Sequence, residues 1–306
     1  MCASTTEMKR NSMISVNEAP RKKTIPLPTV QLIGAQKAGT SAVADWLFGK
    51  FYRPQVFESE PSYYSKEVHY FDINSRYEQG VEFYASRWEN ASERSFTLDA
   101  TPDTLPFAER VRSVYEAAGG NQADTVKMIV ILREPISREL SLYNHLAFEC
   151  RCHDIRERTA WHNQVVKDDG SIMSFDDFVH SKSIPALSKL EGPGRSTRHG
   201  LYELHLRSWF KLFERKQILV LSYDELKHDP TKIQERIQSF LGCKIPGALI
   251  SSNSNNSKYK IKSPSTETKQ ILSNIFDLSN ENLYQLLKKD PAPLMEQTPF
   301  PRFLKP

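Results

Sequence analysis

Residues 30–41, which read VQLIGAQKAGTS, decide the fold. The apolar residues at the start of this stretch predict a short buried strand, and Thr40 and Ser41 open an amphipathic helix that runs to Phe48. A strand, a small-residue loop and a helix together form an anion site, because free N–H groups and the positive end of the helix dipole point toward the bound group. Lys37 adds a positive charge to this loop.

The order of residues in the loop differs from that of a nucleotide triphosphatase. Gly34 and Gly39 are spaced as in a Walker A loop, but Lys37 lies inside the loop instead of after the second glycine. The loop therefore predicts phosphate binding without ATP hydrolysis.

A second segment, residues 126–143, reads VKMIVILREPISRELSLY. Its continuous apolar run is typical of a strand buried on both faces of a parallel sheet, and Pro135 suits the first turn of a following helix. Ligands of open α/β sheets bind beyond the carboxyl ends of the strands. Arg133 at the strand end and Ser141 in the helix are therefore candidates to hold the same anion.

Together these segments resemble the sulfotransferase superfamily. Residues 31–41 are similar to its 5′-phosphosulfate loop, and residues 130–143 are similar to its 3′-phosphate segment, with Arg133 and Ser141 at the characteristic positions. Residues 66–72, KEVHYFD, resemble a stretch of the heparan sulfate (Golgi-type) branch.

The resemblance extends over roughly residues 28–290. Residues 217–242 are similar to the late strand and helix of that branch, and residues 99–103 to a strand-end region that carries a lysine in the family but none here. Tyr259 and Lys260 stand where the family has a Gly-Arg pair in a phosphate-contacting loop.

The resemblance implies 3′-phosphoadenosine 5′-phosphosulfate (PAPS) as the sulfuryl donor, and we expect no metal. Sulfuryl transfer, like phosphoryl transfer, mainly needs positioning and charge stabilisation. Lys37 is the candidate to meet charge on the leaving phosphate, and Arg133 can bind the 3′-phosphate in a bidentate manner. The expected donor-binding residues are Gln36, Lys37, Ala38, Gly39, Thr40, Ser41, Arg133, Ser141, Lys258, Tyr259 and Lys260.

Two candidates for the catalytic base lie close together. Glu67 and His69 point to the same side if their segment is extended. The family resemblance favours Glu67, whereas the ordinary pKa of histidine favours His69, so both stay open. Expected acceptor-binding residues are Lys66, Asp99 and Arg198.

The predicted fold class is α/β, a P-loop-like three-layer sandwich with a central, mainly parallel sheet flanked by helices. Residues 1–27 are expected to form a disordered polar leader, and residues 28–306 a single domain. An irregular insertion at about 150–200 is a possible acceptor-binding region. Residues 201–210 show helical periodicity, which predicts that Leu204 and Trp209 lie in the core.

Composition agrees with an enzyme that binds anions. The chain has 306 residues, 39% of them hydrophobic, and a formal net charge of +4, which is too small to indicate nucleic acid binding. No apolar run reaches the ~18 residues that a membrane helix needs. A cytoplasmic location is therefore expected, or the Golgi lumen if the chain is a trimmed fragment.

The expected reaction is transfer of a sulfuryl group from PAPS to a hydroxyl or amine. Residues 66–71 favour a carbohydrate acceptor, and a small-molecule alcohol or amine is the first alternative. A P-loop small-molecule kinase would need a magnesium-binding aspartate, for which Asp99 and Asp103 are candidates. A non-catalytic nucleotide-binding protein is the third alternative, and the oligomeric state is open.

Overall fold

The computed structural model describes residues 24–57, 60, 62–91, 96–152, 160–188, 196–250, 263–289 and 300–304. In these ranges, four parallel strands form one sheet in the order β2–β1–β3–β4. The strands are β1 (Val30–Gly34), β2 (Leu98–Asp99), β3 (Lys127–Leu132) and β4 (Ile218–Ser222).

Helices occupy most of the remaining described chain. They are α1 (Thr40–Leu47), α2 (Asn74–Tyr77), α3 (Gly80–Ser86), α4 (Ala108–Ala117), α5 (Gln122–Thr125), α6 (Pro135–Cys152), α7 (Ala160–Asn163), α8 (Phe175–Phe178), α9 (Ser196–His199), α10 (Tyr202–Leu212), α11 (Tyr223–His228), α12 (Pro230–Leu241) and α13 (Thr266–Lys289). Short 3₁₀ turns cover Ser62–Ser65, Pro102–Thr104 and Arg215–Gln217, and a π turn covers Val179–Ser183.

The sheet is buried on both faces. Every residue of β1 and β4 is buried, and in β3 only Lys127 is partly exposed. Such strands need helices on both sides, because water would otherwise reach one row of apolar side chains. The predicted α/β fold with a parallel sheet and flanking helices is confirmed.

The parallel register brings the loops after the strands to one edge of the sheet. Val30 pairs with both Leu98 and Lys127, and Leu132 pairs with Ser222. The segments that follow β1, β2 and β3 therefore emerge side by side, which is where a ligand of an open α/β sheet binds.

A glycine turn connects β1 to α1. Gly39 is the N-cap of α1 and has a left-handed backbone with φ of 86°. A Cβ atom at this position would lie 2.8 Å from Leu226 Cδ2, so both the conformation and the close approach to α11 require glycine.

In the described part of the region at 150–200, short helices alternate with turns and contribute side chains to a packed cluster, and the acceptor-binding role of this insertion stays a prediction. Phe175 and Phe178 of α8 join Tyr143 of α6 and Phe276 of α13 in an apolar cluster separate from that of the sheet. Its ring contacts include Tyr143 with Phe175 at 5.4 Å between centroids.

Two expectations need correction. Leu27, placed in the polar leader, is buried in the main core, and the Ile25 N–H donates to the Ala118 carbonyl, so packing begins before residue 28. Trp209 is buried as expected, but Leu204 is 45% exposed because α10 turns its opposite side toward α4 and α13. In the described ranges, no helix is long and apolar enough to cross a bilayer.

Candidate functional site

The loop after β1 is held by an arginine at the end of β3. Arg133 Nη1 donates to the Lys37 carbonyl at 3.0 Å, and its guanidinium lies 4.6 Å from the ring centroid of Tyr223. The Tyr202 hydroxyl donates to the Arg133 carbonyl at 2.8 Å. The guanidinium expected to bind a phosphate therefore lies beside the loop that carries Lys37.

The N-terminus of α1 is open to a ligand. Gly39 supplies no side-chain cap, so the first N–H groups of the helix still need acceptors. Ala38 was predicted to bind the donor, but its N–H already donates a hydrogen bond to the Ala35 carbonyl at 3.0 Å. Burial, followed by the charge of Arg133, lowers the pKa of Lys37 to about 8. The second of these effects shows that Arg133 adds positive charge next to Lys37.

Lys66 joins this loop to the first base candidate. Its Nζ donates to Ser41 Oγ at 2.9 Å and to Glu67 Oε1 at 2.5 Å. The structure puts Lys66 between the donor loop and a carboxylate, and its predicted role in acceptor binding stays a prediction. Glu67 therefore lies one side chain away from the start of α1.

Glu67, His69 and Asp72 form a hydrogen-bonded series. His69 Nδ1 lies 2.9 Å from Asp72 Oδ2, and His69 Nε2 lies 3.4 Å from Glu67 Oε2. Burial opposes protonation of His69, but Asp72 and Glu67 raise its pKa well above the usual value. Burial likewise raises the pKa of Glu67, but His69 and Lys66 outweigh it and hold that pKa below the usual value. At neutral pH the series contains an ionised Glu67 and a protonated His69.

The backbone at His69 explains how the two base candidates meet. His69 has a left-handed conformation with φ of 52°, so the segment is not extended as predicted. The His69 N–H donates to Thr101 Oγ1 at 3.1 Å, and Thr101 Oγ1 donates to Asp99 at 2.6 Å. This anchor at the end of β2 stabilises the unusual conformation.

Asp99 was predicted to bind the acceptor, and this prediction is wrong. Its side chain is fully buried and accepts hydrogen bonds from Tyr84 and Thr101. Burial raises its pKa. Asp99 therefore orders the strand end and cannot reach a ligand in solution.

A third acidic group lies next to His69 and Asp72. Asp103 accepts from Gln36 Nε2 at 3.0 Å, and its Oδ1 lies 3.4 Å from His199 Nδ1. The Gln36 side chain, which was predicted to bind the donor, thus donates a hydrogen bond to Asp103 within the protein. Among the described residues, His69, Asp72 and Asp103 also offer ligand atoms within 4.8 Å of one another, a grouping that a metal ion could use. The absence of a metal stays a prediction.

One face of α6 borders the same site. Ser141, His145 and Glu149 follow one another at four-residue spacing and are all partly exposed. Burial, followed by the charge of Lys37, lowers the pKa of His145 to about 4, and Glu67 also acts on it. His145 therefore lies within electrostatic reach of the donor loop.

A family model of the sulfotransferase domain matches residues 27–289. The chain belongs to the sulfotransferase family. It is 25% identical over 283 residues to the bifunctional heparan sulfate N-deacetylase/N-sulfotransferase 1 of Caenorhabditis briggsae, covering 86% of this chain and 30% of that protein. It is 23% identical over 215 residues to the human heparan sulfate glucosamine 3-O-sulfotransferase 5, covering 70% of this chain and 53% of that protein.

A solved structure supports the fold of this family member. A sulfotransferase from Alicyclobacillus acidocaldarius superposes with a TM-score of 0.59 at 18% identity, covering 86% of this chain and 97% of that one. The likeness concerns the fold alone. The chain spans about a third to a half of the length of the two curated relatives named above.

Some residues of this sulfotransferase-family site escaped the sequence analysis. Asp72 and His145 had no assigned role, although His145 could have been found from its four-residue spacing after Ser141. Arg198, expected to bind the acceptor, donates from Nη1 to the Leu187 carbonyl at 3.0 Å. The expected donor contacts Lys258, Tyr259 and Lys260 lie outside the described residues.

Proposed function

We propose that this chain transfers a sulfuryl group from PAPS to a hydroxyl or amine of a carbohydrate. The observation that carries the proposal is the bridge made by Lys66, whose Nζ contacts both Ser41 at the start of α1 and Glu67. An anion-binding helix end and an ionised carboxylate thus lie next to each other, as transfer from a phosphosulfate to a hydroxyl requires.

The donor site is supported by groups that lack protein partners. Among the described residues, Arg133 Nε is buried without a hydrogen-bond partner, and α1 begins without a side-chain cap. A phosphate at each place would satisfy them, so the residues fit PAPS, which supplies the sulfuryl group and its leaving phosphate. Arg133 and Ser141 would hold the 3′-phosphate, and Lys37 and the α1 N–H groups the 5′ end.

Glu67 is the better candidate for the base. His69 carries a proton at neutral pH because its pKa is raised, whereas Glu67 is ionised and can accept one. A weak base suffices, since little proton transfer is needed before the bond to the leaving group has largely broken. In this proposal His69, held by Asp72, orients Glu67, while Lys37 stabilises charge on the leaving oxygen.

The acceptor is proposed from the relatives. Two curated relatives are named for heparan sulfate, which supports a carbohydrate hydroxyl or amine as the acceptor here. A small-molecule alcohol or amine is the alternative within the same chemistry. The cytoplasmic location stays a prediction.

The alternative function as a kinase is less well supported, because one of the two aspartates considered as magnesium ligands is fully buried. Asp99 is fully buried and bonded to Tyr84 and Thr101. Asp103 is held by Gln36 and lies beside His199. Membership of the sulfotransferase family also favours PAPS over ATP as the donor.

Calorimetric titration with 3′-phosphoadenosine 5′-phosphate, the desulfated donor, tests the proposal. We expect micromolar binding to the wild type, loss of at least tenfold in affinity in Arg133→Ala, and no comparable binding of ATP with magnesium. In a sulfate-transfer assay on heparan sulfate, Glu67→Gln should keep this affinity and lose about 10²-fold or more in kcat. Equal binding of ATP with magnesium would instead support the kinase.

A further inference from the structure

Trp161 of α7 lies against the face of α6 that borders the donor loop. Its ring centroid is 5.6 Å from that of His145, with the planes at 67°, and 5.4 Å from that of His162. Edge-to-face contacts of this kind fix the orientation of an indole. Trp161 is therefore a positioned aromatic side chain beside the site.

The burial pattern of α6 shows which side of the helix faces the core and which side carries His145. Leu142, Leu146 and Cys150 are buried, whereas Ser141 and His145 are partly exposed. Residues four apart share one side of a helix, so His145 lies on the same side as the residue expected at the 3′-phosphate. The charges of Lys37 and Glu67 act on His145, which agrees with this direction.

Trp161 differs from the other tryptophans of the chain. Trp46, Trp88 and Trp209 are at most 7% exposed and belong to the main core, whereas Trp161 is only partly buried. An indole has an apolar face and one N–H donor, so it suits a ligand with an apolar face and a polar edge. A pyranose ring has this character, with C–H groups on its face and hydroxyls around its rim.

We infer that Trp161 is a platform on which a sugar ring of the acceptor packs, beside His145 on the side of α6 that also carries Ser141. This inference rests on the proposed function and names a specificity residue for it. Trp161 touches the acceptor and takes no part in bond making. It gives the site a preference for a saturated hydroxylated ring.

Tryptophan fluorescence tests the inference because the other three indoles are shielded from solvent. The protein, saturated with 3′-phosphoadenosine 5′-phosphate, is titrated with a desulfated heparan sulfate tetrasaccharide. We expect a shift of the emission to shorter wavelength as water leaves Trp161. The shift should disappear in Trp161→Phe and persist in Trp88→Phe, the matched control with a buried indole.

Steady-state kinetics give the second readout. Trp161→Ala should raise KM for the tetrasaccharide roughly threefold to tenfold with kcat less affected, and Trp161→Phe should raise it less. Affinity for 3′-phosphoadenosine 5′-phosphate should equal that of the wild type in both variants, which also shows that they are folded.

The outcomes separate the platform from the proposed function. A wild type that does not bind 3′-phosphoadenosine 5′-phosphate overturns the proposed function and the platform with it. Normal binding of that nucleotide, combined with an unchanged KM in Trp161→Ala or a shift that survives in Trp161→Phe, overturns the platform alone. A shift with 4-nitrophenol but none with the tetrasaccharide overturns the assignment to a sugar.

Discussion

Lys37 shows how one residue links burial, charge and donor binding. Its side chain is in a loop that also contacts Arg133, and burial together with that arginine lowers its pKa to about 8. A phosphate bound beside it would favour the charged amine, because opposite charges stabilise each other. Donor binding must therefore be coupled to protonation of Lys37.

This coupling predicts a pH dependence of affinity. Since the pKa of Lys37 is about 8 in the free protein, affinity for 3′-phosphoadenosine 5′-phosphate should be constant near pH 7 and fall by up to tenfold per unit above pH 8. The phosphates are already dianionic there and add no slope. Calorimetry between pH 6.5 and 9.5 measures this.

Lys37→Arg is the matched variant for this prediction. A guanidinium stays charged across the whole range, so the decline above pH 8 should vanish even if the affinity itself changes. A decline of the same steepness in Lys37→Arg would assign the titration to another group.

The sequence predicted which side chains lie at some strand ends, but it did not predict which residues surround them in the folded structure. Arg133 could be placed because it directly follows a long apolar run. Asp99 could not, because β2 has only two residues and the burial of its carboxylate depends on Tyr84 from a distant helix. The base candidates were predicted together, but the backbone turn at His69 depends on Thr101, which no local pattern indicates.

At the scale of elements, α6 connects the site to the region that follows it. Glu139 of α6 is fully buried, contacts Arg138 at 3.0 Å, and accepts hydrogen bonds at 3.0 Å from Ser183 of the π turn and from Thr197 of α9. One carboxylate thus fixes three elements. β1 and β3 were predictable from their apolar runs, and the short helix α8 was predicted at 175–178, whereas α7 has only four residues and is too short to show a period.

Glu139→Gln should therefore destabilise the protein by about 3 kcal/mol, because it removes a buried charge that faces Arg138 and serves two hydroxyl donors. Urea unfolding followed by circular dichroism measures the change. Glu116→Gln is the control, since it breaks an exposed pair with Arg112 and should cost no more than about 0.5 kcal/mol. Equal losses in both variants would refute a joining role for Glu139.

At the scale of the whole molecule, the described chain contains two apolar clusters. The larger contains the sheet, and the smaller joins α6, α8 and α13. Arg133 lies in the two-residue connection between β3 and α6, so the donor site is where the two clusters meet along the chain. A ligand bound at this site can therefore show whether the two clusters unfold together. Sequence patterns cannot predict this cooperativity, because it depends on the packing between the clusters.

A thermal melt with and without ligand tests this cooperativity. At a concentration of 3′-phosphoadenosine 5′-phosphate about 100 times its Kd, mass action adds about 2.7 kcal/mol to the folded state. For a chain of this size we expect a single transition that moves up by about 5 °C. With a tenfold loss of affinity, Arg133→Ala at the same ligand concentration should retain about 1.4 kcal/mol of this stabilisation, so at least about half of the shift should disappear. Two transitions, of which the ligand moves only one, would mean that the smaller cluster unfolds independently, because a ligand stabilises only the unit whose folding creates its site.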